Sequence, residues 1–205
     1  MIEMLYRLRG PLVAPPIVAA AILASQTDAD GLVDWPVGVG LFLVGWAVRI
    51  WAQRHLRYRL KSPMALTTCG PYAHVRNPIY LGNALMGIGA VVASEVSWMI
   101  PIAALWYVAA YAGVVRFEER RLERTYGAPY VAYFERVPRW WPRIGTPATP
   151  CPHRGLRRAV FAELHGPLIM APAALKSSLW LRARPRQNFA AIRDWKVWRA
   201  ADQVT

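Results

Sequence analysis

Two apolar stretches joined by a very short connector constrain the fold of this chain more than any other feature. Residues 79–93 and 98–115 are almost wholly apolar, and only Ser-Glu-Val-Ser at 94–97 separates them. A connector of this length predicts two antiparallel helices packed side by side. The sequence before the first helix and the sequence after the second therefore return to the same side of the structure that buries the hairpin.

Two further apolar blocks, residues 8–25 and 35–51, precede the hairpin, and Arg49 near the end of the second is expected to reach the lipid headgroups. Hydrophobic residues make up 55% of the 205 residues, and the formal net charge is +13. Apolar and basic blocks alternate, which is typical of a small polytopic membrane protein. The sequence predicts an all-α membrane helix bundle with about four transmembrane helices. Residues 8–25 resemble a signal peptide, but their prolines favour a retained span.

The basic residues predict which side of the membrane each connection occupies. The loop at residues 54–76 carries four arginines and one lysine but no acidic residue, and another basic stretch begins at Arg116. The positive-inside rule places this loop, the N-terminus and everything after Val115 in the cytoplasm. We therefore expect an integral, multi-pass protein of the cell inner membrane or an equivalent membrane, with cytoplasmic N- and C-termini.

The chain changes character after residue 145, where a Pro- and Thr-rich stretch indicates a linker. We divide it into a membrane-embedded domain at 1–145 and, at 146–205, a linker with a basic helical tail. Residues 164–181 are apolar but broken by two prolines, and the tail beyond them mixes arginine with tryptophan. This mixture favours a segment lying on anionic lipid over a fifth span.

The high positive charge also bears on possible partners. Nucleic-acid binding is not expected, because the arginines flank apolar runs and no nucleic-acid-binding motif occurs. The basic loops and tail instead predict contacts with anionic lipid headgroups. The two cysteines, Cys69 and Cys151, are interpreted as incidental thiols, and no metal site is predicted.

Two polar motifs flank the hairpin and are predicted to form one site at the cytoplasmic membrane surface. The first, at residues 70–82, reads Gly-Pro-Tyr-Ala-His-Val-Arg-Asn-Pro-Ile-Tyr-Leu-Gly. The second begins at residue 118 with Glu-Glu-Arg-Arg-Leu-Glu-Arg-Thr-Tyr-Gly and extends to Val-Pro-Arg at 137–139. Because the hairpin returns both motifs to the same side, each is expected to supply half of the site.

Helix-capping preferences explain part of these motifs, and the charged residues indicate a possible ligand. Asn77 is a good helix N-cap and Pro78 suits a first turn. Glu118 and Glu119 could be solvated partners of neighbouring arginines. A carboxylate pair at the end of a membrane span is costly without a cationic partner or ligand, however. Arg76 beside a helix N-terminus makes an anion site, so the two motifs together suit a zwitterionic ligand with an extra positive charge.

Over residues 66–142 the motifs resemble those of the isoprenylcysteine carboxyl methyltransferase and phospholipid methyltransferase superfamily. The shared pattern is Gly-x-Tyr-x-x-x-Arg-Asn-Pro-x-Tyr-x-Gly, then Glu-Glu-x-x-Leu-x-x-x-Tyr-Gly-x-x-Tyr-x-x-Tyr-x-x-x-Val-Pro. The resemblance implies a membrane enzyme that uses S-adenosylmethionine at the cytosolic face, with Arg76 and Glu119 acting in catalysis. The cofactor-binding residues that it implies are Leu66, Thr67, Tyr72, Arg76, Asn77, Pro78, Ile79, Tyr80, Glu118 and Glu119.

Two departures from the superfamily pattern bear on the acceptor. Asn77 stands where the carboxyl methyltransferases usually have histidine, and Val114 stands where the prenylcysteine enzymes place a substrate-contacting arginine. The prenylcysteine substrate is therefore not carried over. The resemblance leaves a lipid-like or isoprenoid small acceptor that is methylated on oxygen or nitrogen.

Two other functions stay open. Membrane sterol reductases share a related Arg-His-Pro-x-Tyr ending, so an NADPH-dependent enzyme is one alternative. The paired carboxylates of Glu118 and Glu119 disfavour it, because they would repel a phosphorylated dinucleotide. The other alternative is a non-catalytic lipid-binding membrane protein.

Overall fold

All regular elements among the residues that the computed structural model describes are helices, which confirms the predicted all-α class. The structure describes residues 10–24, 33–56, 66–143, 153–171 and 174. The α-helices are α1 (Ala14–Ala24), α2 (Asp34–His55), α3 (Pro78–Ala93), α4 (Met99–Tyr126), α5 (Ala128–Arg136) and α6 (Leu156–Ala162). Short 3-10 helices lie at Pro11–Val13, Gly70–Ala73 and Gly166–Met170.

Two of these helices are long and apolar enough to cross a membrane. They are α2, with 22 residues, and α4, with 28. The apolar stretches Pro11–Ala24 and Pro78–Ala93 are shorter. At about 1.5 Å per residue, neither of them covers a hydrocarbon core of about 30 Å on its own. The structure therefore supports two of the four predicted spans by length and composition, and four spans are not confirmed.

The predicted hairpin is present as α3 and α4. Tyr80 near the start of α3 bonds Glu118 near the end of α4, so the two helices are antiparallel. α4 continues without interruption past the apolar stretch and carries the second motif. Gly127 ends it with a positive φ of 61°, and its N–H donates to the Glu123 carbonyl. The turn directs α5 back toward the first motif.

Glycines let α2 and α3 approach each other closely. A Cβ on Gly38 would lie 2.6 Å from the Gly89 carbonyl oxygen, and a Cβ on Gly45 would lie 2.7 Å from that of Gly82. On each helix the two glycines are seven residues apart, which is about two turns and keeps them on one face. Small residues that admit a neighbouring backbone are characteristic of helix contacts in membranes.

Gly45→Ala is expected to lower the thermal stability of the protein in detergent. The new methyl group would meet backbone atoms of Gly82 and Met86 at 2.7–2.8 Å, and overpacking of this kind costs about 1–3 kcal/mol. Gly40→Ala, on the same helix with no atom within 4 Å, is the matched control and gains the same helix propensity. Equal unfolding temperatures for the two variants would contradict the close contact.

Residues 153–171, called the C-terminal segment below, pack against α2 and α3. The Arg154 N–H donates to the Arg54 carbonyl at 2.8 Å. Gly166 lies against the Trp46 ring, and Ile169 and Met170 pack on the main apolar core. The predicted division of the chain at residue 145 therefore separates two parts that are in contact.

The predicted orientation in the membrane stays a prediction. The N-terminus, most of the basic loop and the tail beyond residue 174 lie outside the described residues.

Cys69 is buried and disulfide-bonded, so its interpretation as an incidental thiol was wrong. A disulfide is uncommon in a cytosolic loop.

Candidate functional site

The structure brings the two motifs together, as the hairpin predicted. The Arg76 N–H donates to the Pro138 carbonyl at 2.9 Å, which joins the first motif to the end of the second. The Tyr133 hydroxyl, on α5, donates to the Tyr72 carbonyl at 2.9 Å. Tyr133 and Tyr72 are both buried. These long-range bonds fix α5 over the Gly70–Ala73 turn and leave the side chains of both motifs facing each other.

Glu119 is the electrostatic centre of the site. Arg139 binds its carboxylate in a fork, with Nε 3.1 Å from Oε1 and Nη2 2.6 Å from Oε2. Arg76 Nη1 lies 3.3 Å from Oε1, and the side chains of Arg76 and Glu119 are each only 8% exposed. Hydrogen bonding to Glu119 raises the pKa of Arg139 above its ordinary value. Glu119 thus holds two guanidinium groups in place.

Arg76 keeps part of its hydrogen-bonding capacity despite this pairing. Its guanidinium carbon lies 3.8 Å from the centroid of the Phe134 ring, in a cation–π contact. Its buried Nε makes no hydrogen bond with any residue that the structure describes. Arg76 is therefore fixed by Phe134 and Glu119, and its Nε is a buried donor that the described residues leave without a hydrogen bond.

The neighbouring carboxylate, Glu118, is held differently. The Tyr80 hydroxyl donates to Glu118 Oε2 at 2.7 Å, and the Tyr80 ring packs against Tyr111 with centroids 5.1 Å apart. Tyr80 is buried, whereas Glu118 is half-buried. Glu118 is thus oriented by a neutral donor, and it remains the more accessible carboxylate of the pair.

A small, mostly aromatic cluster lies on α5 and at its C-terminal end. Tyr130, Tyr133 and Val137 pack together, with Leu66, Leu122 and Tyr126 around them. Burial, reinforced by the charge of Glu119, raises the pKa of Tyr130 to about 12. Burial likewise raises the pKa of Tyr133. Both hydroxyls are therefore neutral at physiological pH, and they act as hydrogen-bonding groups and not as bases.

An open cavity of about 490 Å³ lies beside Glu119. This volume falls within the range of small-molecule sites. Its wall alternates basic, acidic and aromatic side chains, so it suits a ligand that carries both signs of charge. The lining residues are Arg116, Glu119, Arg120, Glu123, Tyr130, Val131, Phe134, Glu135 and Arg139.

The other residues of the predicted cofactor set differ in burial and in the residues that they pack against. Leu66 packs on the tyrosine cluster, and the adjacent Thr67 is half-buried. Pro78 is fully buried at the first turn of α3. Ile79 packs instead against the Ala52–Leu56–Tyr72 cluster beside α2. The roles predicted for these residues stay predictions.

Asn77 differs from the expectation for a helix cap. It occupies the N-cap position, but its side chain makes no capping hydrogen bond. Its Nδ2 donates instead to the Arg139 carbonyl at 3.4 Å. The Asn77 side chain thus binds the second motif instead of capping α3, and it helps to position the segment that carries Arg139.

Sequence reasoning assigned no role to Arg139 and Phe134, which complete the site. Phe134 could have been found from the spacing of Tyr130, Tyr133, Phe134 and Val137, which marks one face of a helix. Arg139 has no such local signal, because its partner lies 20 residues earlier and is reached only through the turn at Gly127.

Residues 34–129 match the sequence model of the phospholipid methyltransferase family. Over these residues, which are a little under half of the chain, the protein is similar to this family. The match runs from the first residue of α2 into α5, so it includes the first motif, Glu118 and Glu119. The superfamily resemblance recognised from the motifs is confirmed. Tyr133, Phe134 and Arg139 lie beyond the phospholipid methyltransferase match, as does the C-terminal segment.

Two curated proteins are also similar to this chain. One is the cobalt-zinc-cadmium resistance protein CzcN of Cupriavidus metallidurans, 30% identical over 136 residues, 62% of this chain and 59% of that protein. The other is the nickel-cobalt-cadmium resistance protein NccN of Alcaligenes xylosoxydans xylosoxydans, 31% identical over 110 residues, 53% and 48% of the two chains. The chain thus covers less than two thirds of either relative. No solved structure matches it.

Proposed function

We propose that this protein transfers a methyl group from S-adenosylmethionine to a lipid-like or isoprenoid acceptor at the cytosolic face of the membrane. The observation that carries the proposal is the pair of ordered carboxylates, Glu118 and Glu119, opposite Arg76 within a phospholipid methyltransferase domain. The names of the two relatives describe metal resistance and state no reaction. The activity is therefore proposed from the family and the site.

The side chains of the site suit the charges of this cofactor. The guanidinium of Arg76 would face its carboxylate, and Glu118 would face its ammonium or sulfonium charge. Glu119 would contribute indirectly, because both its oxygens already hold arginines. When bound, the cofactor supplies an activated methyl group on a positively charged sulfur. The protein's part is to orient the two reactants and exclude water from them.

The acceptor is proposed to enter from the lipid side of the helices. The site lies at the end of α4, and the apolar residues Ile102, Leu105 and Val108 on the same helix are exposed to the surroundings. An acceptor carboxylate would need no base, whereas an amine would first have to lose a proton. The domain is thus suited to a lipid headgroup that reaches Arg76 and Glu118 while its apolar part stays in the bilayer.

Purified protein in detergent is expected to bind S-adenosylmethionine in a calorimetric titration. Glu118→Gln should weaken that binding by about 1.5–3 kcal/mol, the usual scale for a hydrogen bond to a charged group. Glu95→Gln removes the same charge at the opposite end of the hairpin and serves as the matched control. Binding of NADPH instead would favour the reductase, and binding of neither would favour a lipid-binding protein.

The transfer itself is tested with membranes that contain the protein and radiolabelled S-adenosylmethionine. Label is expected in the lipid extract and should decrease with the Glu118→Gln variant. Mild base then distinguishes the products, because methyl esters release methanol whereas N-methyl groups stay on the lipid. Label confined to protein would contradict the proposed acceptor.

A further inference from the structure

A second pair of charged residues lies inside the helical bundle, away from Glu119. Arg49, on α2, donates from Nε to Glu163 Oε2 at 2.7 Å and from Nη2 to Glu163 Oε1 at 3.0 Å. Its Nη1 donates to Asn83 Oδ1 on α3. The Glu163 side chain is fully buried, and that of Arg49 is 13% exposed. Arg49 therefore turns inward, contrary to the expectation that it reaches the headgroups.

Glu163 reaches this position from outside the hairpin. It follows α6 in the C-terminal segment, 114 residues after Arg49. The indole N–H of Trp46 donates to the Glu163 carbonyl at 3.1 Å, and Gly166 lies against the same indole. The segment thus inserts a single carboxylate between α2 and α3, with Trp46 holding its backbone.

A tyrosine on α4 connects the Arg49–Glu163 pair to the proposed active site. Tyr111, on α4, is 1% exposed and lies near both Asn83 and Arg49. Its hydroxyl makes no hydrogen bond of ordinary geometry with the residues that the structure describes. The Tyr111 ring packs against Tyr80, whose hydroxyl orients Glu118. A group held by Arg49 would therefore lie on the bilayer side of Glu118.

The geometry around Arg49 is that of an anion-binding site. Arginine binds carboxylate and phosphate oxygens through two parallel N–H donors, as it binds Glu163 here. Burying two charges is costly, so such a pair within a membrane protein is more often retained for a function than for stability. The neighbouring Tyr111 hydroxyl offers a further donor to a ligand with more oxygens than a carboxylate.

We propose that Arg49, Asn83 and Tyr111 form a binding site for one anionic group of the acceptor, a carboxylate or a phosphodiester, which Glu163 occupies here as an internal carboxylate. The C-terminal segment then acts as a plug, which the acceptor displaces by supplying the anion itself. This inference rests on the proposed function, because the acceptor of the methyl group is the ligand. It makes Arg49 a determinant of acceptor specificity.

The site is tested by equilibrium binding of radiolabelled lipids to the full-length protein in neutral detergent, without S-adenosylmethionine. The probes are oleic acid for the carboxylate, dioleoylphosphatidylglycerol for the phosphodiester and dioleoylglycerol as the uncharged comparison. The wild-type protein should prefer an anionic lipid to the uncharged one. The anionic lipid that binds more tightly identifies the chemical source of the anion.

Glu163→Gln should tighten binding of the preferred anionic lipid about tenfold, because a neutral amide competes less well for Arg49. The Arg49→Gln/Glu163→Gln double variant leaves no lone buried charge and should lose the preference for anionic lipid. Asp34→Asn, at the opposite end of α2, should behave as the wild type. Thermal unfolding of every variant shows that it is folded.

An unchanged affinity in folded Glu163→Gln, or a double variant that keeps its preference for anionic lipid, would overturn the inference and leave a purely structural ion pair. If Glu163→Gln does not fold, the double variant decides alone. Failure of the wild type to bind S-adenosylmethionine would contradict the proposed function and leave this lipid measurement intact. If the protein binds the cofactor but shows no preference for anionic over uncharged lipid, the anion site proposed here is contradicted and the proposed function is not.

Discussion

Replacing Glu119 by glutamine is expected to lower the free energy of unfolding by about 3 kcal/mol and to weaken S-adenosylmethionine binding about tenfold or more. The reason is that the substitution leaves the guanidinium of Arg76, which is 8% exposed, without a compensating charge. Arg139 loses the acceptor of its fork at the same time. Because Arg76 is proposed to face the carboxylate of the cofactor, its displacement should lower the affinity for the cofactor.

A double-mutant cycle separates these effects. Arg139→Gln alone should cost less than Glu119→Gln, since the Arg139 side chain is 33% exposed and can be hydrated. Chemical unfolding of both single variants and of the double variant should give a coupling energy of about 1–3 kcal/mol. Glu95→Gln again controls for the loss of a carboxylate. A Glu119→Gln protein as stable as Glu95→Gln would contradict the role of Glu119 as the centre of the site.

The ion pair of Arg49 and Glu163 should have the second large effect. Glu163→Leu leaves the buried Arg49 unpaired and is expected to cost about 3–5 kcal/mol of stability. The double variant Arg49→Met/Glu163→Leu should regain most of this loss, since a well-packed apolar pair can match a buried ion pair. Thermal unfolding in detergent compares the two variants directly.

A chain that ends after residue 145 should be at least as destabilised as Glu163→Leu, because it lacks the same carboxylate, the packing of Ile169 and Met170 and the only other cysteine of the sequence. Combining the truncation with Arg49→Met removes the unpaired charge and provides the matched control. If Glu163→Leu and the truncated chain unfold at the wild-type temperature, the pairing does not contribute to stability. The C-terminal segment would then be dispensable for the fold.

The sequence predicted those parts of the fold that depend on near neighbours. The four-residue connector gave the antiparallel hairpin, and Gly127 ended α4 because its positive φ suits glycine. Pro78 occupies the first turn of α3, as its fixed φ favours. The meeting of Arg76 with Glu119 followed from the hairpin alone. Each of these features is determined within a few residues or by one chain reversal.

What the sequence did not predict depends on partners far apart in the chain. Arg49 meets Glu163 across 114 residues, so neither residue carries a local signal of the other. Asn77 was expected to cap α3, but the Arg139 carbonyl is the partner of its side chain. Two predicted spans also proved short, because apolar composition alone does not determine where a helix begins and ends. α3 is only 16 residues long and stops at Ala93.

The unbroken length of α4 bears on the depth at which Glu118 would lie in a membrane. The helix runs from Met99 to Tyr126 without a break, and the stretch from Met99 to Glu118 covers about 30 Å at about 1.5 Å per residue. That length equals the hydrocarbon thickness of a typical bilayer, so with Met99 at one membrane boundary Glu118 would lie level with the headgroups of the opposite leaflet. A lipid acceptor would then arrive by lateral diffusion within that leaflet. Its encounter rate would follow its mole fraction among the membrane lipids, and adding inert lipid would slow turnover at a constant bulk concentration.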